Sequence, residues 1–320
     1  ISRRRYYGTE IPLWYCTECN EPILPPPGKY YRPWKENPPV KECPKCGNRE
    51  FRGEERIFDT WFDSSNSELY ILGYLWNKQF FSRNFPCDLR PQGKEIVRSW
   101  LYFTMLKSYL LFNRSPFKNI LINHHITDEK GEKMSKSLGN IIDPQTIIKK
   151  YGAETFRIWA FFEGNILTGD VKYSDQRTQT SKRFLTKLWN LGRLISSFPL
   201  QDQVLTTFSE NWILGELTRV TNAVSEAMTS YDLNKAALHL RRFIWDIFAD
   251  HYVELVKPRA YKTANVTDEE QKAAWYGLHT TFKTSLILLS PFAPFITDYL
   301  WRAIYSNQSV HLQEFPRINY

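Results

Sequence analysis

Asp128 to Asn140 reads DEKGEKMSKSLGN, with ammonium groups at Lys130, Lys133 and Lys136 set among Gly, Ser and Asn. Small residues let a backbone close around an oxyanion. Positioned cations stabilise negative charge moving onto a departing phosphate group most strongly in the transition state. By composition this is a phosphate-handling loop, although a solvated basic surface loop has the same make-up.

A second set of chemistry-bearing residues lies near the start. Cys16-x2-Cys19 and Cys43-x2-Cys46 are two knuckles 23 residues apart, each followed by a turn residue, Asn20 or Gly47. Four thiolates at this spacing can close a tetrahedron around Zn²⁺. Four cysteines leave no open coordination position, so the expected zinc is structural rather than catalytic. Cys87 is a spare thiol outside this pattern.

The elements that must position these residues follow from pattern. Residues 1–57 are rich in Pro, Gly and aromatics without a helical period, which predicts a loop-rich module held by its metal. Ile57 to Ser65 reads as a short β-rich run. From Glu95 onward, Ile96, Val97, Trp100, Phe103, Leu106 and Leu110 recur at helical spacing, and the apolar run Asn119 to Asn123 follows as a strand. Strand, helix, strand is the order of a parallel doubly wound sheet, where ligands sit at the carboxyl ends of strands.

Beyond the loop, Asp143 and Pro144 start a short helix that Gly152 ends, and a second helix turns Phe156, Trp159 and Ala160 inward. From Ser174 the pattern is helical. Its stripes are Phe184, Leu188, Leu191 and Ile195; Ile213, Leu217, Val220 and Val224; then Leu240, Phe243, Ile244, Ile247 and Leu255 behind an Asp232 cap. The last, Leu278, Phe282, Leu286 and Leu289, follows a Thr267–Glu270 capping box. Such stripes predict bundle core.

With 320 residues, 42% of them hydrophobic, the chain can fill two cores. No apolar run approaches the roughly 18 residues of a membrane span and no secretory signal opens the chain, so a cytoplasmic location is expected. A formal charge of +8 with 16% aromatics favours a polyanionic partner.

These motifs together resemble the C-terminal half of a class Ia aminoacyl-tRNA synthetase, most closely the valine enzymes of archaeal type. The matching stretches are ISRRRYYGTEIP, the four-cysteine knuckle, DTWFDSS, DLRPQGKEIVRSW, KMSKS, YGAETFRIW, RFLTKLWN and SPFAPFITDYLW, in that order. The resemblance implies a fold that is α/β plus all-α: a partial doubly wound, Rossmann-type parallel sheet with a zinc knuckle, followed by a helical-bundle anticodon-binding domain. The implied divisions are a zinc-knuckle module over 1–57, the second half of the catalytic domain over 58–142, stem-contact helices over 143–203 and the anticodon-binding domain over 204–320.

The resemblance also implies roles. Lys133 and Lys136 hold ATP phosphates during adenylate formation, with Met134, Ser135, Ser137 and Asn140 ordering the loop. Gln92, Gly93 and Glu95 contact the ribose and adenylate, and Trp61 and Trp100 wall the amino-acid side-chain pocket. Without it both tryptophans read equally as core aromatics. Asp59 or Asp63 faces the substrate ammonium, the other reading being a turn cap. Lys182, Arg183 and Lys187 are candidates for tRNA backbone contact, or plain solvated charge. The implied partners are ATP with Mg²⁺, valine and its tRNA. Isoleucine specificity and a non-catalytic tRNA-binding module are the alternatives. The family's His-x-Gly-His signature is not found among the six histidines, and Ile1 opens the chain inside a motif, so a missing N-terminal half, in the same polypeptide or a separate chain, is expected.

Overall fold

A computed structural model describes residues 1–5, 7–165, 168–202, 206–263 and 265–317. They form two compact units, Ile1–Asn123 and His124–Tyr320.

In the first unit, β1 (Ser2–Arg3), β2 (Trp14–Cys16), β3 (Pro22–Ile23), β4 (Phe51–Gly53) and β5 (Ile57–Phe58) form small antiparallel pairings. β1 pairs with β5, and β2 lies between β3 and β4. Short strands bury little, and Trp14 is the main apolar anchor here, its indole N–H donating to the Glu36 carbonyl at 2.8 Å. The predicted β-rich run Ile57 to Ser65 is strand only at its start. Asp59 accepts the N–H groups of Trp61 and Phe62, and this side-chain cap turns the rest into α1 (Thr60–Ser64).

After α2 (Ser67–Ile71) and α3 (Lys78–Asn84), β6 (Cys87–Gly93) pairs in parallel with β7 (Phe117–Asn123), in register from Cys87 opposite Phe117 to Gly93 opposite Asn123. Their crossover runs as a 3₁₀ turn Lys94–Ile96, a π-helical stretch Val97–Leu101 and α4 (Tyr102–Phe112). The expected strand–helix–strand order is present. The buried face of the helix is Trp100, Leu101, Thr104 and Ser108, whereas Leu110, expected inside, is 78% exposed. The π-stretch widens the turn, so a 3.6-residue count runs off the true face.

In the second unit, β8 (Ile126–Thr127) leads into the lysine loop. Then come α5 (Pro144–Tyr151), α6 (Ala153–Glu163) and β9 (Val171–Lys172), the last parallel to β8. Asp143 caps α5, Pro144 occupies its first turn and Gly152 ends it at φ 90°. In α6, Ile158 and Trp159 are buried, while Ala160 faces solvent and corrects the inward assignment. The remainder is helical: α7 (Asp175–Ile195), α8 (Phe208–Thr229), α9 (Leu233–Arg242), a π-helical stretch Phe243–Val253, α10 (Glu254–Ala260), α11 (Asp268–Leu289) and α12 (Pro294–Ile304). One apolar core runs through them, from Ile158 to Val310.

The predicted stripes of α7, α8 and α11 are buried in this core. In the third stripe Leu255 is 60% exposed and Val256 is buried in its place. The i→i+5 bonding of Phe243–Val253 delays the inward face by one residue.

Candidate functional site

The lysine loop is built around Asp128. Its carboxylate accepts the backbone N–H groups of Lys130 and Glu132, at 3.0 and 2.7 Å, and the side-chain amide of Asn140 at 2.9 Å. The Asn140 bond, followed by the backbone donors, holds this carboxyl below its usual range. Asn140 reaches back across the loop, its Oδ1 accepting Ser135 N–H at 2.9 Å. Ser135 and Ser137 hydroxyls lie 3.1 Å apart, and Ile142 N–H points at the Met134 sulfur at 3.3 Å. Every polar group of the frame is thus used internally. Lys133 and Lys136 are exposed, and neither ammonium has a hydrogen bond or ion pair among the described residues. The arrangement is an ordered backbone presenting two free cations.

In the first unit, Trp61 is 44% exposed on α1 and Trp100 is 5% exposed in the π-stretch. The Arg90 guanidinium lies 3.9 Å from the Trp100 ring centroid, and Phe117 stacks at 6.4 Å. Gln92 is fully buried, and its amide donates to the Gly93 carbonyl at 3.0 Å, so it braces the turn. A Cβ on Gly93 would crowd the Glu95 carboxylate at 2.6 Å, which gives this glycine a steric reason. Asp59 is buried, committed to the α1 cap and to an ion pair with Arg3 at 2.6 Å. Asp63 is exposed and accepts the Thr9 hydroxyl at 2.8 Å. Of the two acids, Asp59 has the turn-capping role.

The four cysteine sulfurs lie within 4.8 Å of one another, with Cys16–Cys46 and Cys19–Cys43 both at 3.5 Å. Zn–S bonds of about 2.3 Å around a tetrahedron set sulfurs about 3.8 Å apart, so the donor set fits the ion. Asn20 and Gly47 both adopt left-handed φ, 58° and 75°, as knuckle turns require. The Cys16 thiol is brought down to about 6, first by the Cys19 N–H, with Asn48 also donating to it, and against the opposing effect of burial.

On α7, Lys182 and Arg183 are exposed, whereas Lys187 is taken up by an ion pair with Asp250 and lies over the Trp245 ring at 4.5 Å. Lys182 also borders a cleft of about 440 Å³ lined by Tyr151, Glu154, Thr186, Trp189 and Ile296. Trp189 stacks on Tyr299 at 5.3 Å, and both rings remain open to solvent. Sequence reading missed this aromatic pair: Trp189 sits inside an otherwise buried stripe, and its partner is more than a hundred residues away.

Comparison with known proteins accords with this geometry. Residues 1–173 match the family described as tRNA synthetases class I (I, L, M and V). The chain belongs to the class I tRNA synthetases. Residues 210–320 of this synthetase chain match the anticodon-binding domain of tRNA ligase. It is 44% identical to valine--tRNA ligase of Aeropyrum pernix over 99% of its length, and 44% identical to that of Pyrobaculum aerophilum over 97%. The corresponding protein of Nanoarchaeum equitans is 38% identical over 96%. The synthetase chain spans 39%, 39% and 40% of these relatives. Its fold is similar to the crystal structure of a LeuRS–tRNA–LeuAMS ternary complex from Agrobacterium radiobacter, with a TM-score of 0.74 and 21% identity over 99% of this chain and 42% of that one.

Proposed function

We propose that this chain works in a valine--tRNA ligase, supplying the phosphate-binding lysines, residues of the amino-acid pocket and the anticodon-binding helices. The observation that carries the reading is the loop itself: Asp128, Asn140 and Ser135 fix its backbone and leave Lys133 and Lys136 unengaged. The valine carboxylate attacks the α-phosphorus of ATP, a new P–O bond forms and the bond to pyrophosphate breaks. Lys133 and Lys136 hold the charge arriving on the leaving group, with Mg²⁺ accompanying the nucleotide. The valyl group then passes to the terminal ribose of tRNA. Catalysis is positioning and charge stabilisation without a covalent enzyme intermediate.

In this reading Trp61 and Trp100 present indole faces to a branched aliphatic side chain. The Gln92–Gly93–Glu95 turn approaches the adenylate ribose, and Asp63, free of a capping role, is the acid for the ammonium. Zinc on the four cysteines supplies folding free energy to the knuckle. Lys182 and Arg183 meet tRNA phosphates, and the open Trp189–Tyr299 pair offers a stacking surface for an unpaired base.

The test is amino-acid-dependent ATP–pyrophosphate exchange by the chain alone and after addition of a chain bearing the His-x-Gly-His half, with valine, isoleucine, leucine and methionine. Exchange is expected with valine and should fall about 100- to 1000-fold in Lys136→Ala. Isoleucine-dependent exchange would reassign the substrate. Retained tRNA binding without exchange in any mixture would make the chain a binding module.

A further inference from the structure

Glu68 stands apart from the titratable groups used above. It is 4% exposed at the second position of α2, and neither carboxylate oxygen has a hydrogen-bond partner among the described residues. A buried acid without partners is costly, and such groups concentrate where a charge has a task. Two cations act on it, Lys107 from α4 and Arg90 from β6. The Cys87 thiol of β6 is a further titratable neighbour, and Asp63 of α1 acts on Lys107.

Each of these cations also touches an aromatic of the candidate pocket. Arg90 lies 3.9 Å from the Trp100 centroid, and Lys107 lies 3.9 Å from that of Phe62, the residue after Trp61. The Lys107 ammonium donates to the Phe62 carbonyl as well. One carboxylate is therefore the shared counter-charge of two cations, and each cation bears on one pocket wall.

We propose that Glu68 is a positioning residue for the amino-acid pocket, its carboxylate holding Arg90 against Trp100 and Lys107 against the Trp61–Phe62 turn. This rests on the reading of Trp61 and Trp100 as pocket walls. Burial pushes the Glu68 carboxyl up to about 7, against the opposing pull of Lys107 and Arg90. The holding charge is therefore half formed at neutrality. Lowering the pH removes it, loosens both walls and weakens valine binding ahead of the chemical step.

Two measurements test this. On the chain itself, carboxyl ¹³C and indole ¹H–¹⁵N NMR should show one glutamate titrating near neutrality, absent in Glu68→Gln. The Trp100 indole signal, assigned with Trp100→Phe, should move with the same midpoint. In ATP–pyrophosphate exchange by the assembled enzyme, KM for valine should rise about 3- to 10-fold from pH 8 to pH 6, the scale of a partly desolvated cation–π contact. Glu68→Gln should show the raised KM at both pH values with kcat little changed. A Trp100 signal that does not titrate, or a pH-dependent KM that survives in Glu68→Gln, overturns the proposal. Trp100 coupling without valine-dependent exchange overturns the functional reading and leaves the positioning role standing. If Glu68→Gln does not fold, Arg90→Met decides, since it should abolish the Trp100 response while the glutamate still titrates.

Discussion

Asn140 donates to the Asp128 carboxylate at 2.9 Å and so closes the lysine loop across twelve residues. The bond separates two jobs: Asp128 and Asn140 shape the loop, and the lysines are left to act outward. Asp128→Ala is expected to lower kcat of valine activation about 100-fold through misplacement of the lysines. The loop is exposed, so the melting temperature of the variant should match the parent. Exchange kinetics beside a thermal melt check both halves.

The cysteine module should depend on its metal. Dialysis against a strong chelator, or Cys43→Ser, is expected to abolish one equivalent of bound zinc by elemental analysis and to open residues 14–53 to protease. The helical unit should keep its circular dichroism. Cys87→Ser should leave zinc content unchanged, because Cys87 lies outside the four-sulfur cluster.

Glu210 is fully buried at the start of α8, where it accepts the Arg259 guanidinium at 2.7 Å and the Tyr252 hydroxyl at 3.0 Å. Burial would raise its carboxyl, but Arg259 and Thr207 outweigh that and hold it low. A depressed acid stabilises the fold above its unfolded pKa and loses that contribution as pH falls through the folded one. Glu210→Gln is expected to cost about 3 to 5 kcal/mol at pH 7 by urea titration, the scale of breaking one side of a buried pair. The deficit should shrink in acid.

Glu68 has the opposite sign. Its carboxyl is raised from 4.5 to about 7, so the fold favours the neutral form and stability is lost as pH rises through that window. Glu68→Gln should therefore be about 1 to 3 kcal/mol more stable than the parent at pH 8 and nearly equal at pH 4.5. Urea unfolding at both values decides it. Greater stability together with a poorer valine KM is the trade expected of a charge kept for function.

Much of this was legible in sequence because it depends on local rules. Asp143, Asp232 and Thr267 cap helices as their side chains dictate, and Asn20 and Gly47 make the knuckle turns. The stripes of α7, α8 and α11 bury as a 3.6-residue period requires. Periodicity failed where the helix changed type: Leu110 and Leu255 fell outside the core after π-helical stretches, which hydrophobic spacing does not announce. The lysine loop was visible as KMSKS, but its dependence on Asp128 was not, since one acid in a charged stretch resembles any other. Glu68 gave no signal at all. Its burial follows from how α2, β6 and α4 pack, and composition cannot report that.

Among the described residues β6 and β7 pair only with each other, and Ile120 and Ile122 on β7 are open to solvent. Parallel strands normally have both faces covered, and an uncovered edge invites another backbone to pair with it. In solution this makes the chain adhesive. Its scattering should show concentration-dependent clustering that salt, which screens charge, does not dissolve, and a charged residue in place of Ile120 should keep it dispersed.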